Sequence, residues 1–179
     1  ICPTPCLLRQ YGDAFRILLQ RQGLTERVEV WDATLDQLEK LVGLPAMMRL
    51  YEGLLATDVL SILTTRLRPY EQNPGATNRL FAESMDRLIE AVAGRKRMGK
   101  VLPQAVAAIM ALPRIGSPGS RPVVGVTGDI YTRINPTGNA ELFQRLEQMG
   151  CEVWPSPFFA ELADLSATRQ VRRSAGRGR

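Results

Sequence analysis

Cys2 and Cys6, with three residues between them and Pro3 and Pro5 stiffening the segment, are the one pair in this sequence with metal-ligand spacing. Deprotonated sulfur is a soft donor that holds zinc or iron-sulfur clusters tightly. Two thiolates are half of a four-ligand set, so spacing alone leaves a metal site and a pair of unligated thiols both open. Cys151, between Gly150 and Glu152, reads as a small buried side chain. Three cysteines are odd in number and sparse for 179 residues, which fits free thiols or a metal in a reducing compartment better than a disulfide framework.

Other chemistry is excluded by composition. The chain has no histidine, which removes schemes that need an imidazole base and sites that need imidazole ligands. Lys plus Arg number 23 against 18 for Asp plus Glu, a net charge of +5. Arg169, Arg172, Arg173, Arg177 and Arg179 lie in an acid-free tail and account for the whole excess, so residues 1–168 are neutral. A broad basic face tracking nucleic acid is not expected. The tail at 166–179 reads as a disordered end.

Two glycine patterns fall short of nucleotide motifs. Gly94-Arg95-Lys96-Arg97-Met98-Gly99-Lys100-Val101 misses the phosphate loop at Val101, which has no hydroxyl for magnesium, and it follows a helical pattern instead of a strand. Gly125-Val126-Thr127-Gly128 follows a strand but lacks the third glycine of a dinucleotide turn and an immediate helix. Arg95, Lys96 and Arg97 form a basic turn that offers phosphate contacts, a weaker reading in which the chain binds CoA or a nucleotide.

The elements that would position these residues follow from periodicity. Tyr11, Phe15, Leu18 and Leu19 predict an amphipathic helix from Arg9 to Gln22 that stops at Gly23, and Val28, Val30 and Trp31 predict a short strand. Asp32 or Thr34 would cap a helix through Leu35, Leu38 and Leu41 to Gly43. From Pro45 to about Leu67 the residues Met47, Leu50, Tyr51, Leu54, Leu55, Val59, Ile62 and Leu63 give nearly two apolar faces and predict deep burial, with Asp58 as a solvated or paired acid. Further helices are expected from Thr77 to Gly94 and from Val101 to Leu112, and Ile115-Gly116-Ser117-Pro118-Gly119-Ser120 reads as a linker.

Beyond that linker the pattern becomes a buried strand at Pro122–Val126, a long polar loop at Thr127–Gly138, a helix at Asn139–Met149 and a second strand at Cys151–Trp154. This predicts an α/β fold: a Rossmann-like parallel sheet built on a β-loop-α-β unit at 121–165, with an additional helical segment at 1–115. In such sheets ligands bind beyond the carboxyl ends of the strands, which points to the loop beginning at Gly128. Apolar runs fall short of the roughly 20 residues that span a bilayer, and no basic-then-apolar leader is visible, so a cytoplasmic location without membrane is expected. Opening at Ile1 rather than Met, the chain reads as a piece of something longer.

The segment Val124-Gly125-Val126-Thr127-Gly128-Asp129-Ile130-Tyr131-Thr132-Arg133-Ile134-Asn135-Pro136, with Asn139 and Leu146-Glu147-Gln148-Met149-Gly150-Cys151-Glu152-Val153, resembles the D-component family of 2-hydroxyacyl-CoA dehydratases and related domains of CoA-substrate-specific enzyme activases. Ala56-Thr57-Asp58-Val59-Leu60, Leu67-Arg68-Pro69-Tyr70-Glu71 with Gly75, and Pro5-Cys6-Leu7-Leu8-Arg9-Gln10-Tyr11-Gly12 are similar to further segments of that family in the same order. The resemblance implies a cytoplasmic iron-sulfur, electron-transferring protein of anaerobic metabolism. An ATP-dependent activator would pass an electron to a 4Fe-4S cluster, and an acyl-CoA would be reduced. Cys6, and with it Cys2, would then be ligands, while Asp129, Tyr131, Asn135 and Asn139 would line the site. Homo- or hetero-dimerisation fits the same picture, and a cluster-free scaffold or interaction domain of this fold is the alternative.

Overall fold

In the computed structural model residues 10–31, 35–94 and 98–160 are described. The chain divides into two compact units, Ile1–Met47 and Met48–Arg179. Cys2, Cys6, the caps Asp32 and Thr34, the basic turn at Arg95–Arg97 and the arginine tail lie outside the described residues.

In the first unit α1 spans Tyr11–Arg21 and α2 spans Leu35–Val42. The stops are glycines with left-handed backbone, Gly23 at φ 64° and Gly43 at φ 78°, a conformation that costs a Cβ-bearing residue energy. The expected strand at Val28–Trp31 does not form: Val28 and Trp31 are exposed, and no neighbouring strand among the described residues pairs with them. A β-branched run has strand propensity only where a partner completes its ladder.

The second unit is built on α3 (Leu44–Leu67) from Met48 onward, α4 (Ala76–Val92) and α5 (Met98–Met110). Ala56, Leu60 and Leu67 of α3 pack with Leu88 and Ala91 of α4 and Val101, Ala105 and Ile109 of α5 into one apolar cluster. The expectation of two apolar faces on α3 is half right. Val59 and Tyr51 are exposed, and beside the core Thr57, Asp58, Ser61, Thr64 and Thr65, continued by Arg68 just past the helix, recur at helical spacing as a second, polar face.

Gly53 lets α3 and α4 approach: a Cβ there would stand 2.5 Å from Val92 Cγ2. Overpacking of this kind costs about 1–3 kcal/mol, against about 1 kcal/mol gained when alanine replaces glycine inside a helix. Gly53→Ala is therefore expected to lower stability in urea unfolding, and adding Val92→Ala is expected to recover part of the loss. A Gly53→Ala chain more stable than the parent would refute the close approach.

After α5 come β1 (Val123–Val126), α6 (Ile130–Ile134), α7 (Leu142–Gln148) and β2 (Glu152–Pro155). The two strands pair in parallel, Val123 with Glu152 through Val126 with Pro155. The coarse α/β expectation holds: a mostly helical chain with a two-stranded parallel sheet. Three details differ. β1 is not a fully buried strand, since Val123 is half exposed. The polar loop holds a short helix, because Asp129 accepts from Thr132 N and caps it. The second helix starts late, at Leu142, because Ala140 and Glu141 take left-handed backbone at φ 53° and 57°. No described helix is long and apolar enough to cross a membrane.

Candidate functional site

The three-residue turn Arg68–Tyr70 leads out of α3 toward α4, and each polar side chain of Arg68-Pro69-Tyr70-Glu71 fastens a different element. Arg68 donates to Glu147 of α7 from Nε at 2.6 Å and from Nη2 at 2.7 Å, a two-pronged pair between side chains that are largely buried. Fork-to-carboxylate geometry of this type is stronger than a single contact. Glu71 accepts from the backbone N–H of Gly75 and of Thr77 at 2.6 and 2.9 Å, capping α4. Burial alone would raise its pKa, but those bonds, the Thr77 hydroxyl and the Arg68 charge together lower it.

Tyr70 reaches Glu152, the first residue of β2, whose side chain is fully enclosed. Glu152 Oε2 accepts from Tyr70 OH at 2.9 Å and from Gly119 N at 2.7 Å, while Oε1 accepts from Arg66 Nε at 3.3 Å and from Trp154 Nε1. The Arg66 guanidinium also lies over the Trp154 ring, 3.9 Å from its centroid. Tyr70 OH in turn accepts from Gly119 N and Arg121 N at 3.1 and 3.2 Å. A buried carboxylate is tolerable only with its oxygens bonded, and here the donors outweigh burial, which by itself would raise the pKa, and bring it below the usual range.

Asp58 completes the frame. Its Oδ2 accepts from the backbone N–H of Phe159 at 2.6 Å and of Ala160 at 2.8 Å, so a buried side chain of α3 caps the turn that follows β2. The acid is paired, as expected for a helix residue, though its partners lie in the backbone about a hundred positions away.

Between the polar face of α3 and the segments beyond the carboxyl ends of both strands lies a cleft of about 330 Å³. Phe81, Phe143, Phe158, Phe159, Ile62 and Ile134 make its walls apolar, and the hydroxyl-bearing face of α3 forms one side. Arg133, buried, lies on the opposite side with its guanidinium over the Phe158 ring and Nη2 donating to Pro157 O. Thr57 and Thr65 return their hydroxyls to the helix, donating to Gly53 O and to Ser61 O or Ile62 O. Thr64 differs: it is 3% exposed, it lines the cleft, and its Oγ1 has no hydrogen-bond partner among the described residues.

An enclosed hydroxyl without a partner costs about 1–3 kcal/mol. Replacing it should stabilise the empty protein. Thr64→Val is expected to raise the midpoint of thermal unfolding by a few degrees, on the order of the ~1 kcal/mol effects seen at such sites. A lower midpoint would show that the hydroxyl is satisfied.

The loop residues expected to line a site follow β1, and the side chains of Asp129, Asn135 and Asn139 hold the loop itself. Asp129 caps α6 through Thr132, which lowers its pKa. Asn135 accepts from Gly138 N at 3.0 Å, and Asn139 donates to Arg133 O and accepts from Leu142 N. Tyr131 is exposed. None of these four is among the cleft residues, which include their neighbours Arg133 and Ile134. The hydroxyl face of α3 was missed; its signal was the recurrence of Thr57, Ser61, Thr64 and Arg68 every three or four positions.

Cys151 is a half-buried free thiol just before β2, at the opposite end of the strand from the cleft. A cubane cluster takes four sulfur ligands. Among the described residues no three cysteine, aspartate or glutamate side chains converge to hold a metal ion, and Cys2 and Cys6 lie outside those residues. Comparison of the chain with protein-family models, with curated proteins and with solved structures finds no match.

Proposed function

We propose that the chain is a domain of an iron-sulfur electron-transfer protein related to 2-hydroxyacyl-CoA dehydratase components and their activases, with a Rossmann-like unit at its carboxyl-terminal half. The observation that supports this is spatial. The segments on which the resemblance rests are far apart in sequence, yet their polar residues meet: Arg68 on Glu147 and Tyr70 on Glu152. A chance likeness in separate stretches gives no reason for those stretches to fasten one another.

On this reading the parallel strands and the loop from Gly128 to Asn139 form a rigid support, and Cys6 with Cys2 supplies thiolates toward a 4Fe-4S cluster whose other ligands come from a second chain. The partners are an ATP-dependent activator and an acyl-CoA. Anaerobic reconstitution with iron and sulfide, alone and with the candidate activator, tests it. Broad visible absorption that disappears in Cys6→Ala is expected. A colourless chain that also fails to bind the activator would sink the proposal.

One observation favours a second reading, a cluster-free scaffold of the same fold: Asp129, Asn135 and Asn139 are all engaged in holding their own loop. A colourless chain that still binds the activator would select it.

A further inference from the structure

We infer that the open edge of β1 is a pairing surface for a second copy of this chain, which adds its own β1 antiparallel about Val124 and completes a sheet of the order β2-β1-β1-β2. The direction of the backbone groups shows which edge is open. Pro122 O accepts from Glu152 N at 2.8 Å and Val126 O from Ser156 N at 2.9 Å, so the even-numbered residues of this stretch turn their backbone toward β2. Alternation then turns the N–H and C=O of Val123 and Gly125 outward. Neither has a backbone partner on that side among the described residues, Val123 is 49% exposed, and Gly125 is exposed as well. The other edge of the sheet is shut. Val153, which turns its backbone away from β1, is fully buried, and Pro155 has no N–H to offer.

A row of unpaired backbone groups is a template for another strand, and β1 lacks the usual guards: it carries no charge, and Pro122 lies on the inner row. Three observations select a copy of the same chain as that strand. The edge fits itself. With Val124 opposite the partner's Val124, Val123 faces the partner's Gly125 and Gly125 the partner's Val123, so every outward N–H and C=O of β1 is bonded. Sliding one way sets Gly125 against the partner's Arg121, whose N–H is held by the Tyr70 hydroxyl at 3.2 Å, and sliding the other way sets Val123 against the partner's Thr127, past the end of the strand. The charges match too. Arg121 before β1 and Asp129 after it are the nearest on either side, and antiparallel pairing brings the start of one strand to the end of the other, opposite signs together. Finally, the pairing closes. Two copies use up both open edges and leave the shut sides of β2 outermost, a two-fold pair that does not grow into a fibre. None of this uses the cysteines or the family resemblance.

The test is sedimentation velocity of the whole chain from micromolar to millimolar concentration, joined to amide hydrogen exchange read by NMR at both ends of that range, all without iron. A reversible doubling of mass is expected. The amides of Val123 and Gly125 should exchange fast in the dilute chain and slow down as the pair forms, whereas those of Val124 and Val126, which face β2, should be protected throughout. Gly125→Pro removes an outward N–H and leaves the inner row its donors. It should weaken the association roughly thirtyfold, the worth of a symmetric pair of neutral hydrogen bonds, with circular dichroism confirming that the variant is folded.

Three results overturn the inference: the mass of a single chain up to millimolar concentration, a dimer whose Val123 and Gly125 amides exchange as fast as in the dilute chain, or undiminished association of a folded Gly125→Pro variant. Should that variant fail to fold, exchange in the parent chain decides. Because the measurement needs no cluster and no activator, its failure leaves the proposed electron-transfer role untouched, and the reverse holds as well.

Discussion

Glu152→Ala is expected to cost about 2–3 kcal/mol, the upper part of the range for leaving a buried polar group without its partner. The alanine removes the acceptor for Tyr70 OH, Gly119 N, Arg66 Nε and Trp154 Nε1 at once, and the Tyr70 hydroxyl, on a side chain 1% exposed, is left shut away from water. Stability is affected because these donors come from different places: the end of α3, the Gly116–Ser120 segment and β2 itself. Urea unfolding followed by circular dichroism measures the loss, and a change below about 1 kcal/mol would place the network among weak surface pairs. Glu152→Gln separates shape from charge.

The same carboxylate predicts a pH dependence. Its folded-state pKa lies below the ordinary glutamate value of 4.5, so the stability it contributes is fully present above that pH. As the pH falls through the folded value, the contribution is lost. Glu71 acts in the same direction, because its pKa is also lowered. Stability should therefore decline on acidification below about 4.5, and Glu152→Gln should flatten that decline. A variant that keeps the parent's full acid sensitivity would assign it to other carboxylates.

Asp58→Ala is the second large effect, expected at about 2–3 kcal/mol from two backbone N–H groups that lose a buried carboxylate acceptor. It strips the backbone N–H groups of Phe159 and Ala160 of their acceptor. The loss should be local before it is global. Amide exchange at these two positions should accelerate well beyond that of the α3–α4–α5 core, and Asp58→Asn, which retains an acceptor oxygen, should recover most of the protection. Uniform acceleration across the chain would deny Asp58 its capping role.

The sequence made the helices legible because apolar spacing and glycine stops act within a few residues. Gly23, Gly43 and Gly94, all with left-handed backbone, end helices close to the expected positions. The parallel pair was legible for the same local reason, two β-branched runs with turn residues and a helix between them. What stayed hidden depends on distant partners. Val28–Trp31 has strand composition and no ladder, and nothing local could reveal that. The late start of α7 comes from left-handed backbone at Ala140 and Glu141, residue types that rarely adopt it.

The strand-end rule pointed to the loop beginning at Gly128, and the choice of Asp129, Tyr131, Asn135 and Asn139 assumed that polar loop residues face a ligand. In the folded chain three of them serve the loop's own backbone, a frequent use of Asp and Asn in turns. Threonines inside a helix drew no notice because they are indifferent helix formers. Their meaning comes from the surface that α3 turns toward the strand ends.

Gly116–Ser120 has the composition of a hinge, yet the N–H groups of Gly119 and Arg121 end on buried acceptors. Such a stretch resists where a hinge would yield. Digestion by a broad-specificity protease should spare this glycine-proline segment in the native chain, and cutting there should begin only once Tyr70 and Glu152 have let go.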